Sequence, residues 1–286
     1  KIFASDFDLG IMGVAYYDAG SEANYGGDFS AWNNGWAYRN DNVDIQNNED
    51  PLSNGYNVGW IESDEWMQYT LKDPTSGLYN IKVRVATEDN DGSFYFKIND
   101  NQVTDLINVP NTESWTNWSF INIDSLVVYD TDDKFVFQVK TGTFNLGFFE
   151  FERIGDINLL QTKYISSFTL SENSININFN KNLDNTSTLN KSDFILNIND
   201  QEKDIQNVNY SSSPRSIIIN FDTEIQPTDI VTLSYTGKSV RALDGETLIN
   251  FNNEVVENKI SFVHAIPGKI EAEHFFNQKG IELEST

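Results

Sequence analysis

The sequence predicts an all-β protein, and three observations carry the prediction. From Tyr79 onward, short segments alternate apolar with polar residues at a period of two, and they break at Asn, Asp and Gly. No stretch carries the longer period of an amphipathic helix. Many short strands at regular spacing leave few ways to bury half-apolar sheets except packing two sheets face to face, so the expected architecture is a β-sandwich. A chain of 286 residues exceeds the usual size of one domain, which makes two cores the expectation.

The strands follow in order. In the first unit, residues 1–155, they are read in YNIKVRVAT, GSFYFKIND, SWTNWSFINI, KFVFQVKT and FNLGFFEFERI, with FEFERIGD closing the unit. After Gly155, Trp and Gly become fewer. A second unit, residues 156–262, is read from ISSFTL, SININFN, DFILNIN, SIIINFD and IVTLSYTG, separated by turn signals such as SPRS and LDGE. The Pro-Gly of VHAIPGK then breaks the chain before a third segment within residues 263–286. That segment, KIEAEHFFNQKGIELEST, repeats the start of the chain: Lys-Ile opens both, and Ala4, Phe7 and Gly13 return as Ala272, Phe275 and Gly280.

Composition narrows the function. No run of apolar residues is long enough to span a membrane, and the first residues lack the order of a signal peptide, so the chain is expected to be soluble, to insert in no membrane, and to have lost any export signal. Cysteine is absent, which excludes disulfides and thiolate chemistry. The 43 acidic against 19 basic residues leave a formal charge of −24, which repels nucleic acid and anionic membranes. Aromatic residues reach 13%, and Trp and Tyr lie in polar, Gly- and Asn-rich surroundings. That mixture suits a partner with both hydroxyls and apolar faces.

Three strings in the first unit carry a resemblance: GYNVGWIESDEWMQYTL, then VPNTESWTNWSFINI, then GTFNLGFFEFERI. In that order they resemble a family 6 carbohydrate-binding module over residues 1–153, and GVAYYDAGSEANYGGDFSAWNNGWAYRNDNVDI resembles the long first loop of one branch of that family. The resemblance implies a jelly-roll β-sandwich with a glycan site in the loops joining its sheets. It places Trp60 and Trp115 as two facing aromatic platforms, Asn145 as the polar contact between them, and Trp66 and Trp118 in the core. Where the family often has a Glu, this chain has Tyr17 followed by Asp18, a change expected to alter sugar preference. Trp32, Trp36 and Tyr38 lie in the long loop, either as further ligand contacts or as a cap on the open end of the sandwich. A pyranose ring has C–H groups on its faces and hydroxyls around its edge, so two aromatic faces clamp it while an amide both donates and accepts.

Calcium is a second implication. Family members carry two Glu at alternate positions of the first strand, pointing to one side and offering hard oxygen ligands. Here that pair has become Phe3 and Ser5. Asp6 and Asp8, with backbone carbonyls near Arg39, make a shifted candidate set, and solvated acidic residues are the competing reading. The terminal segment keeps the pair as Glu271 and Glu273, and Glu284 stands at the ligand-side Glu position. It therefore reads as the truncated start of a second such module. Residues 156–262 resemble a bacterial immunoglobulin-like spacer, most clearly in IVTLSYTGKSVRALDGETLINF.

No catalytic constellation is evident. Glu62, Asp64 and Glu65 cluster in sequence, but glycoside hydrolysis needs a facing pair at a defined separation, and the resemblance assigns that segment a structural role. His264 lies in a linker. The expected function is non-catalytic polysaccharide binding by a likewise expected monomeric, secreted or cell-surface region of a larger glycan-degrading enzyme. A neutral β-glucan or galactan is the expected ligand, and the catalytic module stands elsewhere on the parent chain. The alternative is a structural or adhesion protein whose sandwich binds another protein.

Overall fold

The computed structural model describes residues 1–19, 38, 39, 41 and 43–262. The first part of the chain forms β1 (Ile2–Phe3), β2 (Tyr16–Tyr17), β3 (Ile45–Asn47), β4 (Tyr56–Val58), β5 (Trp66–Thr70), β6 (Gly77–Thr87), β7 (Ser93–Ile98), β8 (Asn101–Gln102), β9 (Ile107–Asn108), β10 (Ser114–Val128), β11 (Lys134–Thr141) and β12 (Asn145–Gly155). One sheet runs β10-β6-β12-β4-β3 with β1 added to β12; the other runs β2-β5-β11-β7-β8 with β9 added to β7. From β4 to β7, and again from β10 to β12, successive strands alternate between the two sheets, so most connections cross the top or bottom of the sandwich.

The all-β expectation holds, and the period-two pattern explains the core. Ile81, Val83 and Val85 of β6, Phe94 and Phe96 of β7, and Phe135 and Phe137 of β11 are all fully buried between the sheets. Phe149 of β12 stands edge-on to Phe96, Phe135 and Tyr69, with ring centroids 5.7, 5.4 and 5.4 Å away. Edge-to-face pairs of this kind add to the burial of the rings themselves. The Tyr69 hydroxyl donates to the Ala4 carbonyl at 2.9 Å, tying the first residues to this core.

A short turn at Ile157–Leu159 leads into β13 (Tyr164–Ser171), β14 (Ser174–Phe179), β15 (Phe194–Ile198), β16 (Gln201–Lys203), β17 (Ile205–Tyr210), β18 (Ser216–Phe221), β19 (Val231–Tyr235) and β20 (Phe251–Val255). They form two four-stranded sheets, β13-β14-β18-β17 and β16-β15-β19-β20. Ile175, Ile177, Ile217, Ile219, Leu196 and Leu233 fill a separate core between them. Among the described residues no helix is long and apolar enough to cross a membrane.

A buried arginine joins the two sandwiches. Arg215, in the turn before β18, places Nη2 at 2.6 Å from the Asp132 carboxylate in the β10–β11 loop, and both side chains are 1–2% exposed. Its Nη1 donates to the Val127 carbonyl at 3.1 Å, and its Nε donates to Asn182 Oδ1 at 3.1 Å. The Tyr129 ring lies 5.2 Å from the guanidinium, and its hydroxyl accepts from the Asn182 amide. A guanidinium matches such a site because its fixed fork serves several acceptors at once.

Candidate functional site

Strand register brings the site together. β6 lies between β10 and β12; Thr87 pairs with Ser114 and Ala86 with Asn145, so the first residues of both neighbours meet at one end of β6. Val58 pairs with Leu146, which carries Gly59 and Trp60 to the same corner. There Trp60, Trp115 and Asn145 border a cleft of about 480 Å³, together with Gln46, Glu62 and Asp89. The tryptophans are 43% and 37% exposed, an unusual outlay of apolar surface.

The backbone around the cleft is specialised. Trp60 has φ 48° and Thr143 φ 80°, left-handed conformations that cost a residue with a Cβ about 1 kcal/mol or more. Such strain concentrates at functional positions. Gly142 lets the β11–β12 loop pass directly over β4's extension, since a Cβ there would stand 2.2 Å from the Ile61 carbonyl oxygen. Gly59 similarly keeps a cradle open: a Cβ would lie 2.8 Å from Asn145 Oδ1, 3.4 Å from Gln46 Nε2 and 3.6 Å from Asn57 Nδ2.

Asn145 does more than line the cleft. It is only 4% exposed, and its Nδ2 donates to the Trp115 carbonyl at 2.8 Å, which fixes the backbone that carries the second tryptophan. Its carbonyl oxygen faces the Gly59 cradle. Gln46 and Asp89, which no motif singled out, add donors and acceptors, as does Glu62.

Other expected site residues lie elsewhere. Tyr17 is exposed and pairs with Trp66 on the opposite sheet, and Asp18 is buried; neither borders the cleft. The Tyr38 ring lies tilted against Tyr56, with centroids 4.4 Å apart, and its hydroxyl donates to Asp6, away from the cleft. Trp32, Trp36, His264, Glu271, Glu273 and Glu284 are outside the described residues. Trp66 and Trp118 are not core residues, contrary to expectation: each is only half-buried. On β5 the buried Met67 and Tyr69 occupy the inward face, so Trp66 shares the outer face with Gln68. Trp118 lies on the outer face of the other sheet, against Gly147.

The acidic residues near the cleft are electrostatically coupled. Burial, and then the Asp18 carboxylate, push Glu65 up to about 9. Burial, and then Glu62, push Asp44 up to about 6. Glu65 in the folded protein thus holds a proton that the unfolded chain releases near its ordinary value of 4.5. Its protonated form favours folding at low pH, and that contribution is lost as pH rises from about 4.5 toward 9. Urea unfolding at pH 5, 7 and 9 is expected to show a steeper loss of stability in the parent than in Glu65→Gln. Parallel profiles would contradict this protonation state.

Among the described residues, the side chains expected to hold calcium, Asp6 and Asp8, already have other partners. The Asp8 carboxylate already accepts from Gln68 Nε2, the Thr70 amide and the Thr70 hydroxyl at 2.8–2.9 Å. Asp6 accepts the Tyr38 hydroxyl, and Ser5 Oγ accepts from Asn54 Nδ2 at 3.0 Å. The Arg39 guanidinium donates to the carbonyls of Ser5, Phe7 and Asp8, so a fixed cation already serves this carbonyl cluster. Phe3 packs edge-on to Phe148 at 6.0 Å. Among the described residues no group of three or more His, Asp or Glu is arranged for a metal ion.

At the loop end of the first sandwich, two exposed tryptophans thus border one cleft together with the amides of Gln46 and Asn145. Residues 36–153 match the family model "Carbohydrate binding module (family 6)". Among solved structures, the chain is similar to a family 6 module of Cellvibrio mixtus lichenase 5A in complex with cellotriose, at 25% identity over 39% of this chain and 87% of that one, TM-score 0.36. It is also similar to the C-terminal family 6 module of LamC, a marine laminarinase of Zobellia galactanivorans, at 26% identity over 39% of this chain and 88% of that one, TM-score 0.35. No curated protein matches the chain.

Proposed function

We propose that this chain is a polysaccharide-anchoring region of a larger secreted glycan-degrading enzyme, and that Trp60 and Trp115 clamp a neutral β-glucan or galactan while Asn145 contributes to reading its hydroxyls. The observation that carries this reading is the pair of exposed tryptophans facing one cleft floored by amides. Glu62 and Asp89 on the cleft wall accept sugar hydroxyls and repel carboxylated or sulfated polymers, in line with the net charge of −24. The second sandwich acts as a spacer of immunoglobulin-like type, and residues 263–286 begin another sugar-binding module. Because single modules bind weakly, repetition on one chain raises the effective concentration at a polymer surface.

A glycan array followed by calorimetry against soluble β-glucans and galactans tests the reading. Binding to at least one neutral polymer, without release of reducing ends, is the expected result. Failure across the panel, or recovery of a protein partner that binds independently of sugar, would favour the adhesion alternative.

A further inference from the structure

The two tryptophans that border the cleft stand on separate segments, Trp60 just beyond β4 and Trp115 near the start of β10. Behind both lies a pair of buried threonines, Thr87 at the end of β6 and Thr112 in the turn before β10. The Thr87 hydroxyl donates to the Thr143 carbonyl at 2.7 Å and accepts the Asp89 amide at 2.9 Å, and Thr143 and Asp89 both line the cleft. The Thr143 amide in turn donates to the Ile61 carbonyl at 2.9 Å, next to Trp60. The Thr112 hydroxyl accepts the Thr87 amide at 2.8 Å and shares its proton between the carbonyls of Thr87, at 2.9 Å, and Ser114, at 3.1 Å. Ser114 precedes Trp115, so one threonine branch ends beside each tryptophan.

The chemistry requires hydroxyls. A hydroxyl both donates and accepts within one small group, and each threonine uses both capacities. Valine has nearly the same shape, but at residue 87 it would leave the Asp89 amide and the Thr143 carbonyl without this partner. Thr143 sits at φ 80°, a conformation that persists only where the surroundings over-determine it. Bonds at both its amide and its carbonyl supply that constraint. The branch toward Trp115 is braced further, because Asn117 Nδ2 donates to the Thr112 carbonyl at 2.6 Å.

We infer that Thr87 and Thr112 are positioning residues for the ligand: they do not line the cleft, and their hydroxyls set the spacing of its two tryptophan walls before a sugar arrives. The inference rests on the proposed glycan-binding function. Walls held in the bound arrangement need no ordering when the sugar enters, and that preorganisation raises affinity. The competing structural role, in which the hydroxyls merely close strand ends, predicts that every variant still folded binds like the parent.

Calorimetry on the intact chain with β-1,3- and β-1,4-linked gluco-oligosaccharides and β-linked galacto-oligosaccharides, run well below the melting temperature of each variant, separates the two. Thr87→Val keeps the side-chain shape and deletes the hydroxyl, and its affinity is expected to fall about tenfold. Thr87→Ser keeps the hydroxyl and deletes the methyl. It is expected to recover most of that affinity while melting below the parent, since a lost buried methyl leaves a void. Affinity that follows the hydroxyl and not the melting temperature is a pattern the structural role does not give. Thr112→Val breaks the branch toward Trp115 and is expected to weaken binding likewise, so it reports where Thr87→Val fails to fold. Parent-like affinity in Thr87→Val, or in Thr112→Val where the first variant does not fold, overturns the positioning role. So does Thr87→Ser binding as weakly as Thr87→Val. Absence of binding to every sugar in the parent overturns the glycan-binding function itself, and the positioning role with it.

Discussion

Trp115→Ala is expected to reduce glycan affinity to the limit of detection. Central aromatic anchors typically carry about 2–4 kcal/mol each, a loss of roughly 30- to 1000-fold, and a weakly binding single module has little affinity to spare. The substitution removes the platform and leaves its support intact, because Asn145 holds the backbone carbonyl of residue 115 and not its ring. Trp60 offers a sharper separation of binding from folding. Its φ of 48° favours glycine, so Trp60→Gly relieves backbone strain while deleting the opposite platform. Calorimetry with the best polymer from the array and thermal melts on the same samples are expected to show binding lost in both variants, with melting temperature held or raised in Trp60→Gly. Parent-like affinity in Trp115→Ala would remove the clamp from the mechanism.

The second large effect is expected at the joint. Arg215→Ala leaves Asp132 buried without its cation, and breaking a buried pair in this way costs about 3–5 kcal/mol. The Val127 carbonyl and Asn182 side chain lose their donors at the same time. The parent is expected to scatter X-rays as one rigid particle and to resist proteolysis between residues 155 and 164. The variant is expected to open at that segment, with cleavage there and a larger radius of gyration. Arg215→Met paired with Asp132→Leu restores a packed, uncharged joint and is expected to recover most of the lost stability. If Arg215→Ala is indistinguishable from the parent in both scattering and cleavage, the ion pair does not hold the sandwiches together.

Fold class was legible because burial on one face writes itself into the sequence at a period of two. It failed locally where geometry departs from that period. IQNVNY forms β17, but a bulge between Ile205 and Asn207 breaks its alternation, and its faces carry too few apolar residues to declare a strand. The shared cleft was legible through the motifs around Trp60, Trp115 and Asn145, since each sits at or just beyond a strand end whose register is fixed by neighbours. Trp66 was misjudged although the signal was present: Met67 and Tyr69 alternate with Gln68, so Trp66 belongs to the outer face. Gln46 and Asp89 carry no local signature, being ordinary polar residues that only tertiary pairing brings to the cleft. Arg215 was hidden most completely. Its turn, SPRS, reads as solvent-exposed punctuation, and its partner Asp132 is 83 positions away.

Strand β10 begins at the clamp and ends at the joint, with Trp115 near one end and Val127 near the other. At about 3.3 Å per residue, this is roughly 40 Å of continuous backbone. A polymer tugging on the tryptophan therefore pulls along the strand, and the ladder to β6 lies across the direction of pull. Its hydrogen bonds share the load in shear instead of opening one after another like a zipper. The tension would reach the carbonyl that Arg215 grips, so under the proposed function the strand that displays the sugar site would also be the tether that carries force toward the second sandwich.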